Sequence, residues 1–187
     1  MKSIFAALIL ILAAATAFAE PIRSFDCMVE AITDGDTVRC AVKNSGGAIA
    51  KLRLYGIDAP EIEHSSKKTG KISKPGQPYG AEAAAALTNK IPVQTIVHVD
   101  VQAIDRYKRM VGLIKLGNRD INKEMVADGY AWAYRQYLDR PHASEYIKAE
   151  EQARSKRLGL WQQSNPQPPW EFRKLQKKGK GRHNDEG

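Results

Sequence analysis

One arginine and two carboxylates stand close together in Leu52-Arg53-Leu54-Tyr55-Gly56-Ile57-Asp58-Ala59-Pro60-Glu61. Carboxylates such as Asp58 and Glu61 bind hard cations through oxygen, and the planar guanidinium of Arg53 matches a phosphate bidentately. Together they suit a site for a phosphate and a metal ion. The local pattern places them. Leu52 and Leu54 alternate about Arg53, as on a strand with one face buried. Gly56 permits a sharp backbone change, and Pro60 ends ladder pairing. The acids therefore fall where a strand gives way to a loop. A solvated surface charge pair has the same composition, so the stretch alone decides nothing.

Two further segments carry comparable residues. Asp34-Gly35-Asp36-Thr37 reads as a turn, and Asp105-Arg106-Tyr107-Lys108-Arg109 as a charged turn that ends at a strand. Each has an ordinary explanation. Asp-Gly is common in turns, and Asp36 and Thr37 can bond local backbone.

The elements that must position these residues follow from periodicity. Residues 25–33 and 37–42 are β-rich runs about Asp34-Gly35, a hairpin. A turn at 44–47 leads into a third strand at 49–55. Residues 63–78 hold His64, Lys67, Lys68, Lys71 and Lys74 with almost nothing apolar, which predicts a mobile basic loop suited to act as a lid or to steer phosphate. Pro78 precedes an Ala-rich first helix at 79–90. Strands follow at 95–101 and 110–116, then a second helix at 121–128 closed by Gly129. Residues 130–137 are dense in aromatics, which pack cores or stack on bases. A charge-patterned third helix spans 142–157, and Leu158-Gly159-Leu160-Trp161 ends the folded unit. Residues 165–187 combine three prolines with many lysines, and the expectation is a basic, disordered tail. Five short strands and three helices predict an α+β fold that is mainly β, a partly open barrel of the oligonucleotide-binding kind.

Composition narrows the partners. The formal net charge is +8, which favours a polyanion such as nucleic acid. Met1-Lys2, the uncharged apolar run at 4–15 and Ala17-Phe18-Ala19 before Glu20 read as a signal peptide, residues 1–19. The folded unit is then 20–164, exported, secreted or periplasmic, with no membrane attachment after cleavage. The four histidines are scattered, with no Cys/His cluster at zinc spacing. The two cysteines, Cys27 and Cys40, are an even count, which an exported chain can oxidise. A two-residue turn at Asp34-Gly35 sets Cys27 opposite Val42 and Cys40 opposite Val29. That makes the cysteines diagonal neighbours, rather distant for a bridge unless a longer turn or a bulge intervenes. The pairing stays open at this point.

Taken together, Asp-Gly-Asp-Thr, then Arg-Leu-x-Gly-Ile-Asp-Ala-Pro-Glu, then Asp-Arg-Tyr-x-Arg closely resembles the staphylococcal nuclease family in order and spacing. The resemblance runs from about Phe25 to Trp161, through Tyr-Gly-x-Glu-Ala at 79–83 and the closing Leu-Gly-Leu-Trp. It implies one calcium ion held by Asp36, Asp58 and the carbonyl of Ala59, with Thr37 and Glu61 reached through water. It implies that Glu61 activates the attacking water and that Arg53 and Arg109 clamp the scissile phosphate. Arg106 and Tyr107 would take a terminal phosphate, and Tyr137 would join them in binding substrate phosphate. Ala59 stands where threonine is frequent, Lys108 where glycine is common, and the tyrosine spacing around Tyr134 differs. The implied activity is calcium-dependent hydrolysis of DNA and RNA to 3′-phosphate products, by a monomer that prefers single-stranded or locally melted substrate. The competing expectations are a non-catalytic nucleic-acid-binding module on the same barrel and an envelope-associated scaffold.

Overall fold

The computed structural model describes residues 21–66, 68–139 and 142–183, with side chains through residue 177. The expected signal peptide, residues 1–19, lies outside them. Strand β1 (Arg23–Asp34) is long enough to pair on both sides, with β2 (Thr37–Val42) and with β4 (Ile96–Ile104), both antiparallel. Strand β3 (Ile49–Leu54) pairs antiparallel with β2, and β5 (Met110–Leu116) with β4. The ring closes where β3 meets β5 in parallel, Arg53 opposite Val111. The result is a closed five-stranded barrel filled by Val29, Val38, Leu52, Leu54, Val97, Val99, Leu113 and Ile114. It matches the expected class.

Among the described residues four α-helices accompany the barrel rather than three: α1 (Gly80–Lys90), α2 (Ile121–Ala127), α3 (His142–Ser155) and α4 (Pro169–His183). Helix α1 buries Ala83 and Leu87 against the core. Asp120 caps α2 by accepting from the Lys123 amide. Asn122 on α2 is fully buried, and its amide serves three backbone groups. It donates to the carbonyls of Tyr55 and Gly112 and accepts from the Ile114 amide. That pins α2 across the seam that closes the barrel, with every polar atom of the amide group satisfied.

Three expectations need correction, and the open question of the cysteines is answered. The loop at 63–78 is not devoid of structure: His64–Ser65 pair with Ile72–Lys74 in a small ladder. Strand β4 runs three residues further than read, to Ile104. The tail is helical from Pro169 to His183, for reasons given below. The cysteines are bridged. The register is the expected one, Cys27 opposite Val42 and Val29 opposite Cys40, but β1 carries two irregularities before the turn, and the Cα atoms of the diagonal pair stand 5.6 Å apart, within bridging range. Lys108 has φ +60°, which explains why glycine suits that position.

Candidate active site

Asp36 and Thr37 sit at the turn between β1 and β2. Thr37 pairs with Arg53 across β2 and β3, and the Leu54 amide donates to the Asp36 carbonyl at 2.9 Å. The first two motifs are therefore locked to one another by backbone. Gly35 is required here. A Cβ on it would stand 2.6 Å from the Ala83 Cβ and 2.7 Å from the Ala59 Cβ, so the turn is wedged between α1 and the acid loop. Asp58 lies on a short ladder in which Ile57–Asp58 pair with Trp132–Ala133. Glu61 is fixed through its main chain: its amide donates to the Gln77 side chain and its carbonyl accepts from the Gln77 amide. Gly80 opens α1 so close to this segment that a Cβ would stand 2.2 Å from the Glu61 carbonyl oxygen.

The three carboxylates converge and are buried, with Asp58 at 0% exposure, Asp36 at 4% and Glu61 at 8%. Arg53 joins the first two: its Nη2 lies 2.9 Å from Asp36 Oδ2 and 2.5 Å from Asp58 Oδ1. Asp36 also accepts from the Thr37 hydroxyl and the Ala59 amide. Burial opposes ionisation of Asp36, but the Arg53 charge and these donors outweigh it and hold its pKa below the usual carboxylate value. For Asp58 burial prevails. Its pKa is raised, helped by repulsion from Asp36 and despite hydrogen bonds and charge from Arg173 and Arg53. Asp34, behind the turn, is pushed up to about 7, by burial first and then by the Asp36 charge.

A second cation joins the cluster, and it comes from α4. Arg173 Nη2 donates to Asp58 Oδ2 at 2.6 Å, and its Nη1 donates to Asp58 Oδ1 at 3.1 Å and Glu61 Oε1 at 2.7 Å. Lys74, from the small ladder, pairs with the other oxygen of Glu61. The same helix lays Trp170 flat on Tyr134, centroids 5.1 Å apart and planes 4° apart, and edge-on to Trp132 at 5.6 Å. Sequence reasoning missed Arg173 and Trp170. The available signal was the helix-starting Pro168-Pro169 followed by Trp170 and Phe172, apolar anchors inside an otherwise basic run.

The remaining expected residues are placed less centrally. The Arg109 guanidinium is held by Asp105, Nε at 2.7 Å and Nη2 at 2.7 Å, rather than by the acid cluster. Arg106 and Arg109 both lie over the Tyr107 ring, at 4.9 and 5.4 Å, and Tyr107 is exposed. Tyr137 is exposed and meets Tyr134 edge-on at 4.8 Å.

The donor set suits a hard divalent cation. All candidate ligands are oxygen, two of the carboxylates approach one guanidinium nitrogen, and their burial calls for positive charge at that point. Among the described residues, however, no three side-chain ligands are gathered on one empty point, because guanidinium groups stand between the acids.

Comparison with known proteins agrees with this geometry. Residues 51–163 match the family model described as staphylococcal nuclease homologue. The chain belongs to that family. It is 35% identical over 151 residues to an uncharacterized endonuclease of Haemophilus influenzae, covering 81% of this chain and 74% of that one. A micrococcal nuclease of Shigella flexneri is 33% identical over 155 residues, 78% of this chain and 79% of that one. A probable staphylococcal-like nuclease of rice is 36% identical over 136 residues, 73% of this chain but only 24% of that longer protein.

Proposed function

We propose that this chain is an exported, calcium-dependent, sugar-non-specific nuclease that cleaves DNA and RNA to 3′-phosphate products. The coarser statement, a nuclease of the staphylococcal family hydrolysing phosphodiester bonds, rests on the family match and the named relatives. The observation that carries the finer reading is the burial of three neighbouring carboxylates, Asp36 and Asp58 sharing Arg53, and Asp58 and Glu61 sharing Arg173. A non-catalytic binding module has no use for three desolvated carboxylates facing a polyanion.

In this reading Asp36, Asp58 and the Ala59 carbonyl hold the cation. When bound, it neutralises phosphate oxygens and offers a place for an ordered water. Arg53 exchanges its carboxylate partners for a phosphate oxygen and stabilises the charge that grows there as the water adds. Glu61 takes the proton of that water as the water oxygen bonds to phosphorus, a contribution of roughly 10²–10⁴-fold. The bond to the 5′-oxygen breaks, and that oxygen leaves as the alcohol on taking a proton from solvent. Arg109 must release Asp105 to join the clamp. Tyr107, Arg106 and Tyr137 line the approach for flanking phosphate and base. Substrate preference for single strands, a monomeric state and export belong to the same proposal. The Cys27–Cys40 bridge supports export, since such bonds persist outside the reducing cytosol. No helix among the described residues is long and apolar enough to cross a membrane.

The test is digestion of single-stranded DNA and of RNA by the mature protein, with calcium and with chelator, followed by end-group analysis. The expected result is cleavage of both polymers only with calcium, leaving 3′-phosphate ends. Cleavage that persists in chelator, or 5′-phosphate ends, would contradict the assignment.

A further inference from the structure

Helix α4 is seated on the acid cluster by contacts of several kinds. Arg173 engages both oxygens of Asp58 and one of Glu61. Trp170 covers the face of Tyr134. Gln77, which fixes Glu61, also donates from its side chain to the Gln167 carbonyl at 3.2 Å, in the strap that leads into the helix. Phe172 lines a small cavity with Pro60, Pro78, Trp132 and Leu160. The helix thus reads both the charge and the shape of the site.

A guanidinium donating along both oxygens of a carboxylate takes its bidentate edge and sets a positive charge where a cation would sit. Asp58 is fully buried, so its charged form needs a cationic partner beside it. Arg173 is the tethered one. It reaches the site at the high effective concentration of a group on the same chain. Trp170 at the same time removes the Tyr134 face from anything that would stack on it.

We propose that α4 is an autoinhibitory strap: Arg173 holds the carboxylates in place of a divalent cation, and the cation binds only when the helix lifts away. The inference rests on the reading of Asp36 and Asp58 as cation ligands. Binding is then weakened by the fraction of molecules in which the helix is docked. The helix also carries Lys174 and Lys177 on exposed positions, so a polyanion offers the lifted strap an alternative seat. Activity follows substrate and cation together, which protects an exported enzyme from acting before it meets both.

The experiment is calorimetric titration of the full mature chain with calcium alone, without nucleic acid. Wild type is compared with Arg173→Gln and with Trp170→Ala, which loosens docking without touching the acids. Hydrogen exchange of residues 169–177 is followed in parallel. Both variants are expected to bind calcium at least about tenfold more tightly than wild type. Calcium is expected to speed exchange in 169–177 of the wild type. Equal affinities in all three proteins, with exchange unchanged, would overturn the strap while leaving the cation site standing. Weaker binding by the variants would make α4 a support of the site and overturn the strap as well. Absence of calcium binding in all three would remove the cation site itself, and with it the strap.

Discussion

At the scale of single residues, Arg53 holds two carboxylates, and the proposed mechanism gives it a second job that its variants separate. It neutralises Asp36 and Asp58 in the fold, and it is assigned to the phosphate in the reaction. Arg53→Ala is expected to lower kcat/KM by about 10²-fold or more, as when one preorganised donor is lost. It should also reduce stability by about 3 kcal/mol, because two buried carboxylates lose a shared partner. Steady-state kinetics and urea unfolding measure the two effects. Arg53→Lys should recover part of the stability but little of the rate, since an ammonium cannot reproduce the planar fork. Asn122 tests the barrel seam. Asn122→Ala leaves the Ile114 amide and two carbonyls without their partner. A loss of about 2–4 kcal/mol is expected in denaturant unfolding.

The elements explain why some of this was legible in the sequence. Strands β1 to β3 and β5 announced themselves by alternation and by Gly-containing turns, and α1 by Pro78 and its alanines. The acid motifs fall at strand ends, so local pattern sufficed to place Asp36 and Asp58. The same reasoning could not see where Arg109 would point, because Asp105 captures it through a tertiary detail of one turn. Asp105 accepts from the amides of Tyr107 and Arg109 and from the Arg109 guanidinium. Its pKa is held low: burial opposes ionisation, but the Arg109 amide and guanidinium outweigh it. Asp105→Asn is expected to free Arg109 and to lower KM for nucleic acid, with a small loss of thermal stability. A raised KM would show that Asp105 orients Arg109 for substrate. The hairpin turn is stricter. Gly35→Ala pushes a methyl into Ala83 and Ala59, and a loss of about 1–3 kcal/mol is expected together with weaker calcium binding.

For the whole molecule, the barrel delivers three carboxylates and one arginine to a single place, and two appended features modify it. The Cys27–Cys40 bridge closes a loop of 13 residues, and its reduction should cost about 3 kcal/mol. Its register was readable, while its closeness was not, because the Cα separation of a diagonal pair is a property of the folded sheet. Helix α4 was hidden for a related reason. Its composition is that of a solvated chain, and it folds because Arg173 finds buried acids 115 and 112 residues away in sequence and Trp170 finds Tyr134. The net charge of +8 then serves a substrate reached along its phosphates. The central claim is that this pocket hydrolyses the nucleic-acid backbone with Glu61 as the base. The most direct measurement is the turnover of Glu61→Gln on single-stranded DNA at saturating calcium, beside its affinity for the same DNA. The account predicts a fall in kcat of at least about 10²-fold with affinity nearly unchanged. An unchanged kcat would contradict it.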